Sequence, residues 1–449
     1  MMNTIKEQIN QGTKGKVAYS SVYERDGRVP VMTAIPFGLQ HVLAMFVANI
    51  TPIIIVAGVS GLSSEQSAML IQCAMMIAGL GTLVQLYPVW KVGSKMPIVM
   101  GISFTFVSVF CTIGTKYGYN AIIGAVIVGG VLEGLLGLFA KYWRKIITPI
   151  VAASVVTAIG FSLLNVGATS FGGGNGSADF GSASNLLLGS VTLITCLGFN
   201  ALAPKHYKQL SVLVGLVVGY IVAIFMGKVD FSGMSQTSII ALPQFLPFKP
   251  EFHLNAITST FLIFLVSATE TIGDTSALAK SGLNREATEK EIAGSIACDG
   301  FVSSISGLFG CMPITSFSQN VGLVAMTKVV NRFTLLMGAI IMILAGLFPT
   351  LGAILATLPE PVLGGCTLIM FGSIVVSGLQ MIADCGYNQR NMIIVALSLS
   401  IGIGFTQVPE IFSIFPDVVR SIFAENCVAV VFLTSIILSL VLPKRMEEQ

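Results

Sequence analysis

Two carboxylates four residues apart, Glu270 and Asp274, stand in ATETIGDTSALAK inside an apolar run, with no cation close by in sequence. On a helix, residues at this spacing share a face. An acid at membrane depth is costly enough to be a functional candidate by default. The pair suits a ligand-binding carboxylate beside a second group that holds or relays a proton, although Asp274 also fits a solvated helix end. Asp299, in SIACDGFVSS, suits either a buried hydrogen-bonding role or a proton relay. His41, in FGLQHVLAMF, needs a partner even when neutral. Glu133, in VLEGLLGLF, reads as a packing hydrogen bond among glycines. The stretch CMPITSFSQNVGLVAMTK, residues 311–328, sets hydroxyl and amide side chains between two apolar runs, which fits neither an ordinary loop nor an ordinary span. No spacing of His, Cys or acids suggests a metal and no motif suggests a cofactor. The eight isolated cysteines read as small core residues.

The elements that must position these groups are membrane spans. The chain has 449 residues, 54% hydrophobic and 10% charged, with a mean hydropathy of +0.86. Soluble domains carry about 25% charged residues. A net charge of +3 gives no reason to expect a nucleic-acid partner, and the charges sit in short clusters between runs of membrane-crossing length. Fourteen apolar runs lie between residues 31 and 442, and those at 98–114 and 314–327 are short or interrupted. With the N-terminus inside, twenty of the 24 Lys and Arg fall on the cytoplasmic side and four (Lys116, Lys228, Lys249, Arg420) outside. That bias supports fourteen spans with both termini cytoplasmic. The first 29 residues are polar and lack the early apolar stretch of a cleaved signal peptide.

The polar stretch has an echo. Met96-Pro97-Ile98 and Met312-Pro313-Ile314 match at offset 216. Gly124-Ala125 matches Gly338-Ala339 at offset 214, and Pro149 with Gly160 matches Pro361 with Gly372 at offset 212. Three matches in order indicate a duplicated unit of seven spans. The expected organisation is a tail (1–29), a first repeat (30–228), a connector (229–252), a second repeat (253–443) and a tail (444–449). An odd span number inverts the second copy, and inverted repeats build transporters whose site lies where discontinuous spans meet near the midplane. The third and tenth spans are that pair. Pro97–Ser103 and Pro313–Ser318 should run extended and pair as short antiparallel strands, with helices starting at Thr105 and Gln319. The fold expected is an all-α polytopic membrane protein with those two strands at its centre.

Gln319-Asn320-Val321-Gly322 through Thr327-Lys328 resembles the signature of the nucleobase/ascorbate transporter family (nucleobase:cation symporter 2). GLQHVLAMF, GISFTFV, ATETIGD and ACDG also look like that family's, so the resemblance covers nearly all of Pro36 to Pro443. It implies a core domain of spans 1–4 and 8–11 and a gate domain of spans 5–7 and 12–14. It further implies a homodimer and an elevator-like movement of the core. The substrate ring would be held by Glu270 and Gln319, with backbone groups at Phe104 and Ser318 in contact. His41, Asp274, Asp299 and Asn320 match positions that support transport or arrange the site. Gln319, and Thr271 after Glu270, resemble the purine branch, xanthine and uric acid, more than the uracil branch.

The chemistry of a planar heterocycle agrees with that implication. A carboxylate accepts two N–H bonds, and a Gln amide donates to an oxo group while accepting from a neighbouring N–H. Phe104 and Phe317 are placed in sequence to stack on the ring faces, and Ser103 is a candidate selectivity position. Proton coupling needs a group whose protonation follows occupancy, for which Glu270, Asp274 and Asp299 are candidates. The expected function is proton-coupled import of xanthine, uric acid or both across a bacterial plasma membrane. A uracil or other nucleobase symporter is the alternative; an anion carrier of the sulfate-carrier type is disfavoured by Glu270. No nucleophile with a positioned base suggests an enzyme.

Overall fold

The computed structural model describes residues 21–174, 176–204, 207–231 and 240–443. The proposed tail 444–449 and most of the tail 1–29 lie outside them. The first repeat comprises α1 (Val31–Val59), α2 (Ser64–Leu86), β1 (Met100–Ile102), α3 (Val107–Tyr117), α4 (Tyr119–Leu138), the short α5 (Ala140–Trp143), α6 (Pro149–Gly172), α7 (Ala183–Leu202) and α8 (Ser211–Phe225). The second comprises α9 (Leu254–Leu283), α10 (Glu289–Leu308), β2 (Ile314–Ser316), α11 (Ser318–Thr327), α12 (Arg332–Ala345), α13 (Pro349–Ala356), α14 (Glu360–Asp384), α15 (Gln389–Gln407), the short α16 (Asp417–Phe423) and α17 (Cys427–Val441).

These elements make the fourteen spans. Among the described residues, nine helical stretches are long and apolar enough to cross unaided, and α12 with α13, bent by 79°, makes a tenth crossing. α17 is apolar but has 15 residues, and α10 has 20 residues with Glu289, Lys290, Glu291 and Asp299 among them. The last two crossings are β1 with α3 and β2 with α11. α3 has 11 residues and α11 has 10, so each helix rises only about 15–17 Å. The extended chain before it supplies the remainder at about 3.3 Å per residue.

Helix starts follow the local sequence. Ser63 and Gln66 form a capping box at α2, as do Thr288 and Glu291 at α10. Pro149 and Pro361 occupy the first turns of α6 and α14, where a missing N–H costs nothing.

Packing respects the repeat. α4 lies along α10, and its counterpart α12 lies along α2; α6 packs against its own repeat mate α14, and β1 pairs with β2. Glycines set the closest approaches: a Cβ on Gly300 would sit 2.1 Å from the Gly134 nitrogen, and one on Gly378 would sit 2.6 Å from the Thr157 nitrogen. Small residues of this kind let helices meet in lipid. Spans 1–4 pack mainly with 8–11, and spans 5–7 mainly with 12–14. Contacts between the two sets include Phe104 edge-on to Phe371 at 5.4 Å, Tyr220 on Thr357 at 2.5 Å, and the Lys116–Glu425 ion pair.

Residues 21–28, expected as tail, dock on the bundle. Asn331 Nδ2 donates to the carbonyls of Ser21, Glu24 and Gly27 at 3.2, 2.9 and 2.8 Å, and Arg332 pairs with Asp26.

Candidate functional site

The two broken spans meet at a ladder in which Met100 faces Ser316, Gly101 faces Thr315 and Ile102 faces Ile314. Ser103 N donates to Pro313 O at 3.1 Å and Phe317 N to Val99 O at 3.0 Å, extending it at both ends. All six strand residues are buried. The prolines precede the strands and remove no ladder donor. Helical structure starts within a residue of expectation, at the 3-10 turn Phe104–Phe106 and at Ser318.

Side chains from neighbouring spans fix this ladder. Met100 N donates to Thr82 Oγ1 at 2.9 Å and Ile102 N to Asn49 Oδ1 at 2.7 Å. On the other strand Asp299, with no exposed surface, accepts Ser316 N at 2.9 Å, Ser316 Oγ at 3.0 Å, Thr271 Oγ1 at 2.6 Å and Gln85 Nε2 at 3.1 Å. Four donors on one carboxylate make a strut. Gln85 is itself held, accepting Ser94 N and Ser94 Oγ at 3.0 and 2.8 Å.

α9 runs past both half-helices and brings its two acids to them separately. Glu270 Oε2 accepts from Thr105 Oγ1 at 2.6 Å, beside α3. Asp274 Oδ2 accepts from Ser318 Oγ at 2.8 Å, at the start of α11. Both acids are half-buried, while Ser318 and Gln319 are exposed. Glu270 thus faces the start of α3, while Asp274, Ser318 and Gln319 stand at the first turn of α11. A helix N-terminus with free N–H groups faces acceptors of a ligand well.

His41 and Asn320 form a second, buried contact, in which Asn320 Nδ2 donates to His41 O at 3.4 Å. His41 Nδ1 and Asn320 Oδ1 have no hydrogen-bond partner. The aromatic residues differ in placement. The Phe104 ring, 7% exposed, abuts Phe371 of α14. The Phe317 ring packs against Gly101 of β1, where an added Cβ would come within 2.8 Å of its Cδ2. Ser103, 6% exposed, sits between strand and turn. Glu133 is fully buried in α4 with neither oxygen hydrogen-bonded. The eight cysteines are unpaired, five buried and three half-buried.

Sequence reasoning did not single out the side chains of Thr105, Thr82 or Asn49. Thr82 lies 217 residues before Asp299 and Met100 lies 216 before Ser316, so the repeat offset is the signal that could have found Thr82.

A sequence profile described as the Permease family matches residues 32–411, most of the chain. The chain belongs to the nucleobase/ascorbate transporter family. As a member it is a multi-pass membrane permease and not an enzyme. The Escherichia coli xanthine permease XanQ is 34% identical over 441 residues, 94% of each chain. The Bacillus subtilis uric acid permease PucK is 36% identical over 405 residues, 89% of this chain and 93% of that one. Among solved structures, the transmembrane domain of the cyanobacterial bicarbonate transporter BicA superposes with a TM-score of 0.58 at 15% identity, covering 93% of this chain and 99% of that one. The murine anion transporter Solute Carrier 26 family member A9 gives 0.62 at 13%, covering 91% and 68%. At such identities these two show the fold alone, an inverted-repeat arrangement of membrane spans like this one.

Proposed function

We infer that the chain is a purine permease that imports xanthine, uric acid or both together with protons across the bacterial inner membrane, with both termini cytoplasmic. The observation that carries this is the position of Glu270: an acid held by Thr105 of one broken span, one helical turn from Asp274, which holds Ser318 of the other, in a chain about a third identical to permeases named for xanthine and uric acid. A purine edge offers adjacent N–H donors and oxo acceptors. Glu270 accepts the N–H groups, Gln319 donates to an oxo group, and the backbone at Phe104 and Ser318 completes the edge. The Phe104 ring closes one side, and Ser103 sets selectivity from behind the strand. An anionic site of this kind would repel a dianion, which disfavours the anion-carrier reading.

Coupling requires an acid whose proton follows occupancy. Glu270 and Asp274 fill that role, because each has a single hydroxyl donor on one oxygen and faces the site; Asp299 holds the strand, and the His41–Asn320 contact steadies α11 on α1. We assign spans 1–4 and 8–11 to a moving core and spans 5–7 and 12–14 to a gate in a homodimer. The core would travel as a unit, elevator-fashion, because the site and all its struts lie within it.

The test is uptake of radiolabelled xanthine, urate, uracil and guanine into vesicles with and without a proton gradient. Purine uptake that collapses with a protonophore is expected, and uptake of sulfate but no base would end the reading. Glu270→Gln and Gln319→Ala should each cripple purine uptake while the protein still reaches the membrane.

A further inference from the structure

We propose that Thr105 is a positioning residue that takes the substrate's place on Glu270, so that the carrier can cross the membrane without a purine. This rests on the assignment of Glu270 to the purine. The Thr105 hydroxyl donates to Glu270 Oε2 at 2.6 Å and so occupies a lone pair on the carboxylate that the ring edge engages. A symporter that works in one net direction must return after releasing its substrate. During that return a membrane-interior carboxylate without donors is strongly disfavoured. Thr105 supplies a donor that never has to be fetched.

The placement is built rather than fortuitous. Thr105 is 4% exposed and sits in the 3-10 turn directly after β1. That strand is locked from two sides, by Thr82 on Met100 N and by Asn49 on Ile102 N. Thr105 and Glu270 also belong to the same set of packed spans, since α9 contacts the turn that carries Thr105. The hydroxyl therefore accompanies the carboxylate wherever those spans move. On α11, the Ser318 hydroxyl is committed to Asp274 at 2.8 Å.

The experiment separates the loaded crossing from the unloaded return. Thr105→Val keeps the shape and removes the hydroxyl, and Thr105→Ser keeps the hydroxyl. Each is compared with wild type, at matched membrane levels, for net xanthine and urate uptake and for exchange between saturating purine on both sides. Thr105→Val should lower net uptake about tenfold, the scale of a lost hydrogen bond to a charged group, while exchange stays within about twofold. Thr105→Ser should match wild type in both. Equal net uptake in Thr105→Val, or net uptake and exchange falling together, overturns the proposal. If Thr105→Val fails to reach the membrane, Thr105→Ala and Thr105→Cys carry the same comparison. Wild-type protein that exchanges no purine removes the purine assignment itself, whereas the ratio of net uptake to exchange across variants tests Thr105 alone.

Discussion

Thr82 and Asp299 hold the same small ladder from opposite repeats. Thr82 Oγ1 accepts the amide of Met100 and Asp299 Oδ2 accepts that of Ser316, each at 2.9 Å, and Met100 and Ser316 face each other across the strands. The duplicated unit has thus kept one bond at two places while changing its chemistry from a hydroxyl to a carboxylate. The second place gained three further donors, from Ser316 Oγ, Thr271 and Gln85.

That asymmetry predicts unequal costs. Asp299→Asn turns one acceptor into a donor amid four donors and leaves buried partners unpaired, at about 1–3 kcal/mol each. Thr82→Val strands only the Met100 amide. In thermal unfolding of purified protein, Asp299→Asn should lose the most stability and Thr82→Val less, with transport lost in the first. Equal stability of Asp299→Asn and wild type would refute the strut.

The helix contact through glycine makes a second contrast. Gly300→Ala would drive a Cβ to 2.1 Å from the Gly134 nitrogen, where backbone has to move, whereas a Cβ on Gly404 meets nothing within 4 Å. Overpacking of this kind costs about 1–3 kcal/mol or more. Gly300→Ala should therefore lower the amount of folded protein in the membrane several-fold while Gly404→Ala leaves it unchanged. Immunodetection against a membrane marker decides it, and equal levels of the two variants would contradict the close approach.

The loop between α6 and α7 gives a pH prediction. Lys228 reaches Asp179 at 2.6 Å and the Ser177 hydroxyl reaches it at 2.5 Å; the ammonium, with Ser177 and Asn185, holds the Asp179 carboxyl well below the usual carboxylate range. A lowered folded-state value contributes order that is present above the unfolded value, about 3.9, and is lost as pH falls below it. Hydrogen exchange in residues 177–186 should be protected from pH 7 down to about 4 in wild type, after correction for intrinsic rates, and less protected throughout that range in Asp179→Asn. Identical protection in the two would show that the clip does not order the loop.

Much of the site was legible because acids in apolar runs are conspicuous. Glu270, Asp274 and Asp299 stand out by type alone, and the paired prolines at 97 and 313 announced the broken spans. What escaped was whatever depends on a partner in another span. A Thr in an apolar helix usually bonds its own backbone four residues back, as Thr51 does to Val47 and Thr82 itself does to Ala78, so residue type marks neither Thr82 nor Thr105, and only the repeat offset points to Thr82. The direction of Phe317 was equally hidden: that its ring meets Gly101 follows from strand register. Residues 21–28 looked like tail because six of these eight are charged, Ser or Gly and carry no apolar periodicity, yet one amide, Asn331, ties down three of their carbonyls.

The ion pair between Lys116 and Glu425 joins the two packed sets of spans at the rim of a cavity of about 710 Å³, lined by Gly58, Lys116, Thr169 and Glu360 among others. Lys116 lies in the last turn of α3, and Glu425 precedes α17. The side chains are 46% and 26% exposed, so the pair is solvent-screened and worth about 0.2–1 kcal/mol. Its effect is on balance between conformations: a bridge present only when the two sets approach on this face favours that arrangement, and its loss favours opening. Cys111 lines the same cavity and reports on it. With Cys385 and Cys427 changed to Ser, maleimide should modify Cys111 about two- to fivefold faster in Lys116→Gln and in Glu425→Gln than in the parent. The two effects should not add, because each removes the same contact. The charge-swapped pair, Lys116→Glu with Glu425→Lys, should return the rate toward the parent's. Unchanged rates in both single variants, or a swap that labels as fast as they do, would mean that the pair does not hold the two sets together.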